Sequence, residues 1–230
     1  MLLKFPKPKH GWRDFWGEVG IIVLGVLIAL GAQQLVEAIQ WKREVAGFRA
    51  AIREEIENDL HSYPYRAKQE ACMHARLDEL QQWLEGWREG RGVKLTGPIG
   101  MPASRVIRKN IWDSTDPATL AHVPRAERAE YSALYSEFMN NEVHRLDERD
   151  AWMELASFEG ADLLDHQDQI RLQGLIARAR LRDERIQSNF KRFLRRAAER
   201  SGLHPTPVLA DTPKYDRQLC VPILPKGSPA

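Results

Sequence analysis

An uninterrupted apolar run near the N-terminus constrains the fold of this chain more than any other feature. Residues 19–32 read VGIIVLGVLIALGA and include no polar side chain. These 14 residues are fewer than the roughly 20 that a helix needs to cross a bilayer core. Length alone therefore leaves three alternatives, namely a transmembrane helix, a buried core helix and a signal-peptide core.

The residues around the run favour a transmembrane helix. A helical apolar pattern continues after it to Leu60, which argues against cleavage at Ala29-Leu30-Gly31. Aromatic residues, which concentrate at membrane interfaces, lie on both sides of the run. They are Trp12, Phe15, Trp16 and Trp41. We therefore predict an uncleaved transmembrane helix over residues 19–36.

The same region carries a resemblance to known sequences. Starting at Phe15 the chain reads FWGEVGIIVLGVLIAL, and Gln33 and Gln34 follow shortly after. This stretch resembles the segment F-x-x-E-[IV]-x-x-I-x-x-G-[IV]-L-I-A-L that opens uncharacterised bacterial single-span membrane proteins of unknown function. The resemblance covers about the first 45 residues. It implies a single-span bacterial membrane protein, and it implies no activity and no functional residue. We predict that this membrane is the bacterial inner membrane.

Basic residues flank the predicted span equally, with four on each side. They are Lys4, Lys7, Lys9 and Arg13 before it, and Lys42, Arg43, Arg49 and Arg53 after it. Long domains cross membranes largely regardless of charge, and a short basic N-terminus is easily retained in the cytoplasm. We therefore predict that the domain after the span lies in the periplasm.

The rest of the chain predicts an all-α fold, in which the transmembrane helix continues into a helical-bundle soluble domain of about four helices. We predict a short N-terminal segment over residues 1–18, the soluble domain over 37–203 and a loose, proline-rich tail over 204–230. The first helix continues to about Tyr63, where Pro64 ends it. The other long helices cover about 65–89, 124–158 and 165–201, and Gly202 caps the last one. Asp116-Pro117 reads as a helix start.

The last two predicted helices carry opposite charge. Residues 125–168 contain 12 acids against 4 arginines, whereas residues 169–200 contain 10 basic residues against 3 acids. A basic helix can bind an anionic partner, but consecutive helices of opposite charge favour an antiparallel hairpin. We expect the hairpin, with four side chains lining its adjacent faces. These are Glu148, Asp150, Arg178 and Arg182.

Three groups of residues could carry chemistry. Cys72 and Cys220 are either two unpaired thiols or one disulfide between the tail and the helical body, which requires an oxidising compartment. Glu70 and His74 share a helical face from which Cys72 points away, so we interpret them as exposed helix residues. Asp162, Asp165, His166 and Asp168 suit either a divalent cation or a helix cap, with Asp165 as the capping residue.

No motif predicts an enzyme. The sequence contains no His-Glu-x-x-His, no Gly-x-Ser-x-Gly and no phosphate-binding or dinucleotide loop. We therefore predict no catalytic, cofactor or metal residues, and a membrane-anchored interaction or scaffold protein. The alternative is an extracytoplasmic sensor-like ligand-binding domain that acts through a partner. The predicted partners are the lipid bilayer, an unknown protein and a second copy through Gly25 and Ala29, whereas a net charge of only +2 gives no argument for nucleic acid.

Overall fold

The computed structural model describes residues 11–103, 105–204 and 218–225. These residues are all-α, as predicted, with 77% of them helical. A π-helical turn at Phe190–Leu194 separates the last two helices. The helices are α1 (Trp12–Leu60), α2 (Ser62–Arg88), α3 (Asn110–Ser114), α4 (Pro117–His122), α5 (Arg125–Ala156), α6 (His166–Asn189) and α7 (Arg195–Arg200). Contacts divide the chain into two compact units, and the division falls within α1 after Arg49.

The first unit contains α1 up to Arg49 and residues 116–123. The apolar side chains of α1 between Ile21 and Ile39 are exposed. An 18-residue window of this region has a mean hydropathy of 2.3 and no buried residue. Among the described residues, this is the one helix long and apolar enough to cross a membrane. The chain therefore has one candidate membrane-spanning helix near its N-terminus.

Helix α4 also belongs to the first unit and begins as the sequence predicts. The Asp116 side chain accepts a hydrogen bond from the Ala118 backbone N–H at 2.8 Å, and Pro117 occupies the first helical turn. Proline is tolerated there because the first helical N–H groups have no partner within the helix. At the other end of α4, the His122 ring stacks on Trp41 with 4.1 Å between ring centroids.

The second unit contains the rest of the described chain, with α2, α5 and α6 around one hydrophobic core. The sequence predicts an apolar stripe on α2 that ends at Trp87 and needs a partner surface. All of its residues but the half-buried Trp87 are fully buried. The fully buried residues of the stripe are Met73, Leu77, Leu80 and Leu84. The other helices contribute Trp152, Leu155, Leu172, Leu175 and Ile176 to the same core. The four long helical stretches of the prediction are thus confirmed.

Two helix boundaries differ from the prediction. The break between α1 and α2 falls at His61, and Pro64 lies in the first turn of α2. A proline in a first turn removes no intrahelical hydrogen bond, so it permits a helix start as readily as it ends a helix.

The predicted last helix consists of α6, the π-helical turn and α7. Gly202 ends it with a φ of +64°, in the left-handed conformation that favours glycine at a helix end.

The prediction of a loose tail is wrong for residues 218–225. Cys72 and Cys220 form a disulfide across a sequence separation of 148 residues, and Leu219 and Ile223 are buried in the core. The buried Arg76 guanidinium donates to three carbonyl groups of this segment, including that of Leu219 at 3.1 Å. Covalent, apolar and polar contacts together fix a segment whose composition predicts disorder.

Candidate functional site

A cluster of charged side chains lies inside the second unit, where α2, α5 and α6 each contribute one. Arg66 of α2 donates from Nε to Oδ1 of Asp183 on α6 at 3.0 Å and pairs with Glu148 of α5. All three residues are at least 95% buried. We call these residues, with His74 and Glu70, the Arg66 cluster.

Burial sets the electrostatics of this cluster. The pKa of Glu148 is raised to about 7, mainly because burial removes the carboxylate from water. The Asp183 carboxylate adds to this increase, and the Arg66 guanidinium opposes it. One guanidinium is therefore shared between two buried carboxylates. Removing one member of such a network leaves an uncompensated charge in the interior, which is strongly unfavourable.

The cluster reaches the surface through His74. Its Nε2 atom lies 3.0 Å from Oδ2 of Asp183, and its side chain is 45% exposed. Glu70 lies one turn earlier on α2. One carboxylate oxygen of Glu70, one of Asp183 and one imidazole nitrogen of His74 all lie within 4.8 Å of one another. The prediction that Glu70 and His74 share a face is confirmed. Their interpretation as exposed residues is wrong, because both are half-buried and His74 contacts a buried carboxylate.

A second acidic group lies near the end of α1. Glu55 accepts hydrogen bonds from the Tyr135 hydroxyl and the Ile111 backbone N–H, and Asp59 accepts from the Arg108 backbone N–H at 3.1 Å. The pKa of Asp59 is raised to about 7, mainly by desolvation and also by the Glu55 and Glu142 carboxylates, whereas the hydrogen bond from the Arg108 backbone N–H opposes the increase. The two carboxylates hold the 108–111 segment against α1.

A groove opens beside Asp59, with a volume of about 340 Å³. Arg105 and Arg108 line it on the loop side, and Asn58 and Ser62 line it on the helix side. Its mixed lining of guanidinium, carboxylate, amide and hydroxyl groups favours a polar ligand over an apolar one.

The acidic cluster at the start of α6 is a helix cap. Asp165 accepts a hydrogen bond from the Asp168 backbone N–H at 2.8 Å, and the Asp168 side chain accepts from the Asp165 backbone N–H at 3.3 Å. This reciprocal pair is a capping box. Asp162 pairs instead with Lys94, and His166 is exposed. The structure thus shows the helix cap that the sequence offered as one of two alternatives.

The predicted acidic–basic hairpin of α5 and α6 is confirmed, but its acidic partner differs. Arg178 and Arg182 both pair with Asp147, and this contact lowers the pKa of Asp147 to about 2. Glu148 is buried against Arg66, and Asp150 pairs with Arg149 on its own helix. Of the two acids predicted to line the adjacent faces, Glu148 contacts α6 through Arg66 and Asp183, whereas Asp150 forms its ion pair within α5.

One face of α5 exposes apolar side chains at helical spacing. The set, which we call the α5 outer face, consists of Met139, Val143, Leu146 and Met153, with exposed fractions of 42%, 64%, 37% and 54%. Spacings of four, three and seven residues place these side chains on one side of the helix. Asp150 is exposed between Leu146 and Met153.

Across the described residues, these features define an all-α fold with one candidate membrane-spanning helix and a disulfide-bonded helical domain. Comparison of the chain with family models, curated proteins and solved structures gives no match. Functional assignment therefore rests on the chemistry of its own residues.

Proposed function

We propose that this chain is a single-pass protein of the bacterial inner membrane whose helical domain lies in the periplasm and binds a partner protein. It is a membrane-anchored interaction protein, not an enzyme. The exposed apolar segment of α1 supports the anchor, because water does not favour such a surface. The Cys72–Cys220 disulfide supports the periplasm, because disulfides form and persist in oxidising compartments.

The α5 outer face is the observation that supports a protein partner. Its four apolar side chains follow the spacing by which an amphipathic helix binds another helix. Helix α5 carries 8 acids against 4 arginines, so the partner segment is expected to be an amphipathic helix with basic residues beside its apolar stripe.

Photo-crosslinking in intact cells tests this proposal. A photoreactive residue at Val143 is expected to give one discrete adduct, and the same residue at the exposed Gln82 of α2 is expected to give none. Adding Leu146→Asp to the Val143 probe should abolish the adduct without lowering the melting temperature of the domain, because Leu146 lies on the surface. Equal adducts from both probes, an adduct that survives Leu146→Asp, or a crosslink to a second copy of the chain would contradict a heterologous partner at this face.

The second candidate is a sensor-like ligand-binding domain, and the groove beside Asp59 favours it. Its volume of about 340 Å³ lies at the lower end of the roughly 300–1,000 Å³ that small-molecule sites occupy. Arg105 and Arg108 suit an anionic group on the ligand, and Asp59 suits a hydrogen-bond donor. Thermal-shift screening with small zwitterions tests this role. A true ligand raises the melting temperature of the wild type and fails to raise that of the double variant Arg105→Ala, Arg108→Ala.

A further inference from the structure

We propose that Glu70, His74 and Asp183 bind a divalent transition-metal ion of the Zn²⁺ type, which links α2 to α6 at the surface end of the Arg66 cluster. The site is independent of the proposed partner-binding function. It combines one imidazole nitrogen with carboxylate oxygens, which are ligands that Zn²⁺ accepts in proteins.

The distances place the three ligand groups around one point. Nε2 of His74 and Oδ2 of Asp183 lie 3.0 Å apart, and all three ligand atoms lie within 4.8 Å of one another. Two ligand atoms on a tetrahedral Zn²⁺ lie about 3.3 Å apart, given bonds of about 2.0–2.1 Å. Glu70 and His74 are half-buried, so their side chains can make the remaining shift, on the order of 1 Å, without changing the core.

The buried part of the cluster orients the central ligand. Arg66 donates to Oδ1 of Asp183 from Nε at 3.0 Å and from Nη2 at 2.9 Å, which leaves Oδ2 directed to His74. Hydrogen bonds of this kind fix the orientation of metal-binding carboxylates and raise affinity. Asp183 is 99% buried, so this oxygen is held in place before the ion binds.

The charges of the cluster also favour a cation. The two ligand carboxylates, on Glu70 and Asp183, outnumber the single guanidinium of Arg66. A divalent ion beside Oδ2 of Asp183 opposes this excess of negative charge. Three protein ligands leave a coordination position for water, and the 45% exposure of the His74 side chain gives the ion a route from solvent.

A simpler role for His74, a hydrogen bond to Asp183 without a metal, makes different predictions. His74→Gln keeps a side-chain donor for Asp183 and removes the imidazole ligand. Replacing Asp183 is less informative, because it leaves Arg66 without a partner in the interior. His166→Ala is the matched control, because His166 is an exposed histidine in the acidic cap of α6.

The experiment uses the full chain in detergent, with an affinity tag that contains no histidine, after removal of metal by chelator. Equilibrium dialysis against Zn²⁺ is expected to give one ion per chain for the wild type and for His166→Ala. Affinity should fall at least about 10-fold for His74→Gln and for Glu70→Gln. Saturating Zn²⁺ should raise the melting temperature of the wild type by about 5 °C and leave that of His74→Gln unchanged.

Two results would overturn the proposal. The first is a wild-type protein that binds no Zn²⁺ in dialysis. The second is binding that persists unchanged in His74→Gln or that disappears in His166→Ala. Neither result bears on partner binding at the α5 outer face, so failure of this site is distinguishable from failure of the proposed function.

Discussion

The predicted anchor exposes apolar side chains, whereas the Arg66 cluster buries charged ones. In α1, apolar side chains such as Leu24, Leu27 and Ile28 are more than half exposed. In the second unit, the charged side chains of Arg66 and Asp183 are almost completely buried. The first arrangement is stable only in an apolar solvent, and the second only with close pairing of charges. Hydropathy therefore predicts the surroundings of α1, whereas the interior of the domain depends on geometry that hydropathy does not describe.

The largest effect is expected from placing charge in the exposed apolar segment. The double variant Leu24→Arg, Leu27→Arg should move the protein from the carbonate-resistant membrane fraction to the soluble fraction or to degradation. Each arginine near a helix centre opposes insertion by roughly 2.5–3.5 kcal/mol. The control Leu24→Val, Leu27→Val should remain in the membrane. Retention of the arginine variant in the membrane would show that this segment does not cross it.

The next largest effect is expected in the Arg66 cluster, where charge is buried. Arg66→Met leaves Glu148 and Asp183 uncompensated and should lower the free energy of unfolding by about 3–5 kcal/mol. Chemical denaturation of the full chain in detergent measures this change. The matched control is Arg180→Met, which breaks the exposed pair with Asp78 and should change it by less than about 1 kcal/mol. Similar values for the two variants would mean that the Arg66 pairs do not behave as buried ions.

The disulfide should contribute somewhat less than the charge network. Cys72→Ser should lower the free energy of unfolding by about 2–4 kcal/mol, because a cross-link of distant residues restricts the unfolded chain. The double variant Cys72→Ser, Cys220→Ser and the reduced wild type should match the single variant. A single variant that behaves like the oxidised wild type would contradict the disulfide.

The smallest effect is a pH dependence that originates at Asp59. Its folded pKa of about 7 lies above the ordinary value of 3.8, so protonation favours the folded state. Stability should therefore fall as pH rises from 5 to 8, with about 2 kcal/mol from Asp59. Glu148 acts in the same direction, because its pKa is also raised to about 7.

The variant Asp59→Asn should remove the Asp59 part of this dependence while its carbonyl still accepts from the Arg108 N–H. Denaturation midpoints at pH 5 and pH 8 measure the change, and Asp162→Asn at the surface serves as the control. The explanation fails if Asp59→Asn and the wild type lose equal stability across this range.

The helices were predictable because their apolar stripes repeat at the helical period. Met73, Leu77, Leu80 and Leu84 identify the buried face of α2 from spacing alone. The break at His61 was not predictable, since proline is compatible with both the end of one helix and the first turn of the next. The fixed C-terminal segment was not predictable either, because a pair of cysteines does not by itself indicate pairing.

The candidate site was predictable only within single helices. The i, i+4 spacing of Glu70 and His74 places them on one face, and Asp165 is recognisable as a cap. Asp183 is separated from His74 by 109 residues, and no local pattern links the two. Asp147 and Glu148 are adjacent in sequence, so their side chains point about 100° apart around α5. Which of the two faces the α6 arginines depends on how α5 is rotated about its own axis. The approximate helix limits of the sequence do not fix that rotation.

The orientation of the domain is the central claim of the proposed function, and a pair of C-terminal fusions tests it most directly. Alkaline phosphatase fused after Ala230 is active only where its own disulfides form, and a cytoplasmic fluorescent protein at the same position reports the opposite location. For a periplasmic domain with Cys72 and Cys220 oxidised, the phosphatase fusion should be active and the fluorescent fusion dark. An inactive phosphatase with a bright fluorescent fusion would contradict the proposal.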